Sequence, residues 1–112
     1  RDVLDIEDLC LLIKEQIKKI NILNNDTFNV GGGLNNSISL VELSNYCTDL
    51  MKNKNIFRKK KKTSNYDLRY YITDNKKIYS TYNWRVKKKI QSIIKETLDS
   101  LIKNKKTLQK IL

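Results

Sequence analysis

The sequence gathers its whole glycine supply into one run, Gly31, Gly32 and Gly33, inside the stretch "FNVGGGLNNSISLVEL". A glycine run just before a helix start is where phosphate-holding loops are sought. This run lacks the spaced third glycine of a pyrophosphate loop, so by itself it reads as a tight turn from strand to helix. Other chemistry is restricted by what the chain lacks. It has no histidine, which removes the usual general base near neutral pH and with it any histidine-dependent nucleophile within this chain. Cys10 and Cys47 have no CxxC spacing and no histidine to complete a metal site, so no metal is expected. Both fall on the apolar faces of helical patterns and are expected to be reduced core residues.

Charge is the next possible source of function. The formal net charge is +11, and clustered cations bind nucleic acid by releasing counterions from phosphates. Lysine outnumbers arginine 19 to 4, and lysine, asparagine and isoleucine supply 46 of the 112 residues. That profile matches AT-rich coding, and it is poor in the residue that grips phosphates and base edges with two parallel hydrogen bonds. Most of the charge is therefore assigned to solvated faces. Tyr70, Tyr71 and Trp84 among the cations are the stacking candidates; alternation along a short strand instead makes one tyrosine core and the other surface, and Trp84 is assigned to the core. The chain is the size of one domain, with no apolar run of membrane-spanning length and no signal-peptide pattern, so a soluble cytoplasmic protein is expected.

The elements that must position these residues follow from periodicity. A helix opens near Asp5 or Glu7, and Leu9, Leu12, Ile13, Ile17 and Ile20 form its apolar stripe. "TFNV" reads as a short buried strand, and the glycines follow it directly. Ser39 to Glu42, "SLVE", is a capping box, opening a helix whose stripe is Leu40, Leu43, Cys47, Leu50 and Met51. Ile56 and Phe57 anchor an extended segment that leads into a basic loop. "LRYYI" is a second strand, Asp74 caps a short helix through about Tyr82, and a long amphipathic helix runs from Lys87 with fraying last turns. No linker or internal repeat divides residues 1–112.

Strand, glycine turn and capped helix together resemble the C-terminal lobe of the extended short-chain dehydrogenase/reductase family of nucleotide-sugar epimerases and dehydratases. Two further blocks agree in order. "RDVLDIEDL" is similar to the family's Arg-Asp-Val segment, which ends in an Asp and opens a helix. "YDLRYYITDNKKIYSTYNW" is similar to the family stretch in which an Asp, Arg-Tyr-Tyr and a helix-capping Asp lead to a Trp. The resemblance implies an α/β fold class: a C-terminal substrate-binding lobe without its Rossmann domain. In the family that domain binds NAD through a glycine fingerprint and carries a Tyr-x-x-x-Lys pair. Four residues after Tyr46, Tyr66, Tyr70, Tyr71, Tyr79 and Tyr82 stand Leu50, Tyr70, Asp74, Asn75, Asn83 and Val86, so the pair is absent here.

The implied activity is that of an NAD-dependent 2-epimerase acting on a CDP-sugar or other nucleotide-sugar, with this lobe inactive by itself and partnered by a Rossmann domain. No NAD is expected on this chain alone. Arg1 corresponds to an arginine resembling a diphosphate clamp, and Asp67 to an aspartate near the nucleotide ribose, where a carboxylate can accept two hydroxyl hydrogen bonds. The glycine turn lies beside the pocket, so the implied substrate-binding set is Arg1, Asn29, Gly31, Gly32, Asp67 and Arg69. Lys61, Lys62 or Arg69 stand in for a second family arginine whose place is held by Ser64. Tyr66 and Leu68 replace the family's Gly and Gln, and Val86 replaces the Pro after Trp84. The runner-up function is a small basic nucleic-acid-binding module; lysines on one face with exposed tyrosines favour the module, and uncovered apolar surface favours the lobe.

Overall fold

The computed structural model describes residues 1–22, 25–52 and 66–109. Helix α1 (Ile6–Lys18) begins where its sequence says: Asp5 is extended, and its carboxylate accepts from the Glu7 amide at 2.9 Å. A 3-10 turn at Leu34–Asn36 follows the glycines, then α2 (Leu40–Met51), α3 (Lys76–Thr81), α4 (Ile90–Lys103) and the short α5 (Lys105–Leu108). The expected capping box is complete at the start of α2. Ser39 Oγ accepts from the Glu42 amide at 3.2 Å, and Glu42 reaches back to accept from the Ser39 amide at 2.8 Å. Ser39→Ala is therefore expected to lower stability by about 1 kcal/mol in urea denaturation, and no change would mean that the box is not holding the helix end.

Two boundaries differ from the periodicity reading, for local reasons. α4 starts at Ile90 rather than Lys87. The amides of Lys87 and Lys88 are held by the Asp8 carboxylate at 2.9 and 3.0 Å, and Asn36 Oδ1 accepts from the Ile90 amide at 3.1 Å. α3 starts at Lys76 with Asn75 at its N-cap rather than Asp74, which stands one residue earlier and accepts from the Lys76 amide at 2.9 Å.

The core is small. Leu12, Ile78, Tyr82 and Trp84 are buried together, with Leu4, Leu9, Phe28, Val30, Tyr79 and Val86 packed around them. Phe28 meets Tyr82 edge-on at 5.6 Å, and Tyr79 lies 5.8 Å from Trp84. Trp84 is in the core as its sequence context implied, its indole N–H donating to the Asp8 carbonyl at 2.8 Å.

Several side chains expected inside are outside. Ile13 and Ile17 are 44% and 61% exposed, and Ile20, expected on the same stripe, lies beyond the end of α1 at 60% exposure, so α1 buries only the Asp8 and Leu12 edge of its stripe. Leu40 and Met51 are exposed, and α2 has no fully buried residue. Cys10 is exposed and Cys47 half-buried, both as free thiols, so neither is the core residue its pattern suggested. Tyr70 and Tyr71 are both exposed, which removes the expected core and surface alternation.

No β-strand is formed among the described residues. The two expected strands, 27–30 and 68–72, run as extended or bent chain without a ladder, and one isolated antiparallel bridge joins Asp2 to Ser37. A strand needs a paired neighbour to satisfy its backbone groups. The α/β expectation thus has no sheet behind it within the described residues, which show helices joined by extended segments. Ile56, Phe57, residues 59–62 and Ser64 lie outside the described residues. No described helix is long and apolar enough to cross a membrane.

Candidate functional site

The site is built around Asp2. The chain start runs antiparallel to residues 36–38: Val3 donates to the Asn36 carbonyl at 3.0 Å, Ile38 donates to the Arg1 carbonyl at 2.9 Å, and the Arg1 amino group donates to Ile38 O at 3.2 Å. This pairing aims the Asp2 carboxylate at the glycine turn. Asp2 Oδ2 accepts from the Gly33 amide at 2.9 Å and from the Thr73 amide at 3.3 Å. Desolvation works to raise the Asp2 pKa, but the Gly33 and Thr73 donors outweigh it and hold the carboxyl below its usual range. One side chain thereby ties together segments that are 31 and 71 residues away.

Asn75 adds a second tie. Its side-chain amide meets both polar groups of Gly31, accepting from the amide at 3.1 Å and donating to the carbonyl at 2.8 Å. It is itself buried, and its Nδ2 also lies 3.3 Å from the Tyr79 hydroxyl. Asn36 performs a similar task on the other side of the turn, donating to Lys88 O at 2.7 Å. The glycines are demanded by this crowding. A Cβ on Gly32 would collide with the Val3 carbonyl, and Gly33 has φ 71°, a conformation that other residues rarely take.

Arg1 and Asp67 meet as well. The Arg1 guanidinium donates to Asp67 Oδ1 at 2.7 Å, with both side chains about half exposed at 49% and 50%. An ion pair so open to water adds little stability. It does fix a planar cation beside a carboxylate at the surface.

The sequence-derived set thus separates into three parts. Arg1 and Asp67 are brought together, and Gly31 and Gly32 join them through Asp2 and the paired chain start. The polar groups of Gly31 are already taken by Asn75, so Gly31 positions the turn and has no backbone donor to offer. Asn29 and Arg69 are exposed, each two residues from this assembly, from Gly31 and Asp67 respectively.

A cleft of about 940 Å3 borders the turn. Gly32, Gly33 and Asn36 form one wall, Tyr70, Ile72 and Thr73 another, and Lys87, Lys88 and Lys89 a third. Asp67 and Arg1 are not among its walls; the cleft shares with them the glycine turn and the segment from Tyr70 to Thr73. Lys87 and Lys89 bring positive charge to it, whereas Lys76 is paired at 3.7 Å with Asp74, which also lines it. Lys88 is committed elsewhere, to Glu96 at 2.8 Å, Glu7 at 3.0 Å and Asp5 at 3.4 Å, which raises its pKa above the usual lysine range.

Sequence reasoning missed the half-buried anchor Asp2, the buried anchors Asp8, Asn36 and Asn75, and the lysines at this cleft. For Asp8 there was a signal: it precedes Leu12 by four residues, which puts a carboxylate on the buried face of α1. Among the described residues no cluster of acidic, cysteine or histidine side chains is arranged to hold a metal.

Comparison with known proteins gives one finding with a name. Residues of this chain are similar to CDP-paratose 2-epimerase of Salmonella typhi, with 32% identity over 91 residues. The similar stretch is 78% of this chain and 25% of the relative, so the chain spans about a quarter of the length of the curated protein it matches. No family model matches the chain, and no solved structure matches it. The similarity amounts to a distant relationship with an epimerase.

Proposed function

We propose that the chain is a substrate-binding lobe of an NAD-dependent nucleotide-sugar epimerase, of the kind that inverts C2 of a CDP-linked sugar. It is inactive by itself and works against a Rossmann domain that supplies the coenzyme and the Tyr-x-x-x-Lys pair. One observation carries this reading: the three separate blocks that resemble the epimerase family meet at one place, with Arg1 on Asp67 and Asp2 on both Gly33 and Thr73. In this reading the Arg1 guanidinium faces the diphosphate, and Asp67 accepts the ribose hydroxyl hydrogens through the oxygen that Arg1 leaves open. The family's coenzyme would oxidise the sugar to a ketone and return the hydride after the stereocentre is rebuilt. This lobe's share is to hold the nucleotide and close over the sugar.

Calorimetric titration of the chain with CDP tests the proposal. Binding is expected, and Asp67→Ala should weaken it by about 1–3 kcal/mol, the cost of leaving ligand hydroxyls without an acceptor. Equal affinity in the variant would remove Asp67 from the site. NAD added to the chain alone should produce no heat.

The exposed Tyr70 and Tyr71, the first lining a cleft together with Lys76, keep a second reading, the basic nucleic-acid-binding module. The uncovered apolar residues of α1, α2 and α4 weigh against it. Salt-dependent binding of a single-stranded oligonucleotide, quenched by Tyr70→Ala, with no response to CDP would favour the module.

A further inference from the structure

The cleft beside the glycine turn has a fixed frame. Its three walls come from segments far apart in the sequence, and polar anchors tie them together. Asp2 accepts from both Gly33 and Thr73, and Asn36 holds Lys88 O with one side-chain atom and the Ile90 amide with the other. The buried residues Asn36, Thr73 and Asn75 line the cleft, and the buried Asp8 holds the amides of Lys87 and Lys88 in its third wall. A cavity built this way needs little reordering to receive a ligand. Its volume of about 940 Å3 falls within the range of about 300–1,000 Å3 typical of small-molecule sites.

The charge of the cleft is unbalanced. All 12 Asp and Glu residues of the chain lie among the described residues, so no carboxylate side chain is missing from the ion pairs. Lys76 is paired with Asp74, and Lys88 with Asp5, Glu7 and Glu96. Lys87 and Lys89 are exposed and pair with none of the 12. Asn35 and Gln91, both exposed, add side-chain amides to the same cleft. The half-buried Ile72 and Val86 and the Tyr70 ring, 75% exposed, give it an apolar side.

Two uncompensated ammonium groups favour a ligand with two negative charges in one place. A phosphate monoester carries about two near neutral pH, and its three terminal oxygens accept from ammonium and amide N–H groups alike. A carboxylate offers half that charge. A nucleic-acid strand spreads its charge along the backbone and is tracked by a continuing basic groove, whereas the free cations here stand on one wall of three. We infer that the cleft is a binding site for a small organic phosphate monoester with a flat apolar body, the phosphate held by Lys87 and Lys89 and the body resting against Ile72, Val86 and Tyr70. The inference stands on the walls of this cleft and does not rest on the epimerase reading.

The test is titration of the full chain with phenyl phosphate, which has the phosphate and the flat body but no ribose for Asp67 to hold, followed by amide NMR. Saturable binding is expected, with the largest shifts at the amides of Asn35, Lys87, Lys89 and Gln91. Lys87→Ala combined with Lys89→Ala should weaken binding about tenfold. Alanine keeps the Lys87 amide that Asp8 holds, so Trp84 fluorescence should stay native. Lys103→Ala combined with Lys106→Ala changes the net charge equally at exposed positions outside the cleft and should leave the affinity as it was. Benzoate, with the same ring and a single charge, should bind about fivefold more weakly or worse. The inference is overturned if millimolar phenyl phosphate shifts no cleft amide, if both double variants lose affinity equally, or if benzoate binds as well. Shifts centred on Arg1, Asp67 and Arg69 would overturn it by placing the anion at the surface pair. A single-stranded oligonucleotide that displaces phenyl phosphate, and whose own binding needs Lys87 and Lys89, would overturn it in favour of the nucleic-acid module.

Discussion

Asp8→Ala is expected to cost about 3–5 kcal/mol, a large share of what holds a small domain folded. The Asp8 side chain is 3% exposed. Its Oδ2 accepts from the amides of Lys87 and Lys88, and its own carbonyl accepts from the Trp84 indole. Each donor orphaned by alanine costs about 1–3 kcal/mol, and bonds to an ionised acceptor lie at the upper end. A small domain has only about 5–15 kcal/mol in total. Asp8→Asn, which keeps an oxygen but turns an amide donor towards one backbone N–H, should lie between alanine and the parent. Urea denaturation followed by Trp84 fluorescence measures both. A loss below about 1 kcal/mol for Asp8→Ala would show that water satisfies the two amides, and that the carboxylate is not what holds the start of α4 against α1.

Asp8 also shows what the sequence could and could not convey. Asp5, Glu7 and Asp8 all stand at the acidic start of α1, where helix-dipole reasoning treats them alike. The structure divides them: Asp5 caps the helix, Glu7 reaches Lys88 at the surface, and Asp8 is driven inward to hold a loop some 80 residues away. Local interactions were legible because their partners are three or four residues apart. The Ser39 and Glu42 box and the course of α1, α2 and α4 were found on those grounds. The reach of Asn75 to Gly31 or of Asp2 to Thr73 depends on the tertiary path, which spacing does not encode.

Exposure is the other place where sequence reading stopped short. Periodicity says that Ile13, Ile17 and Ile20 share a face; it does not say what covers that face. The same holds for residues 27–30, expected as a short buried strand: Thr27 and Asn29 are exposed, Phe28 and Val30 half-buried, and no ladder is formed among the described residues. In the candidate site, the glycine run as a tight turn was legible from the residues themselves, and the approach of Arg1 to Asp67 through the resemblance. The cations of the adjoining cleft were not, because the lysines at 87–89 looked like the solvated end of a helix, and it is the Asp8 and Asn36 bonds that turn this segment towards the glycine turn.

Gly32→Ala is expected to lower stability by about 3 kcal/mol or more and to remove CDP binding from whatever fraction stays folded. The added Cβ would lie on the Val3 carbonyl, a backbone atom that no side-chain rotation can move aside. Relief requires the chain start to part from the glycine turn. That parting breaks the Val3 to Asn36 bond and pulls Asp2 off the Gly33 and Thr73 amides. Overpacking alone costs about 1–3 kcal/mol, and the lost bonds add to it. Gly33→Ala should be milder, about 1–3 kcal/mol, because the penalty there is one residue held at φ 71° rather than a backbone collision. Since Arg1 immediately precedes Asp2, displacing the chain start also separates its guanidinium from Asp67. Binding should therefore fall more in Gly32→Ala than in Gly33→Ala once each is corrected for its folded fraction. Thermal denaturation by circular dichroism and CDP calorimetry on the same samples measure the two effects. If Gly32→Ala keeps both its melting temperature and its CDP affinity, the chain start is not clamped to the turn, and the site does not depend on the glycine run.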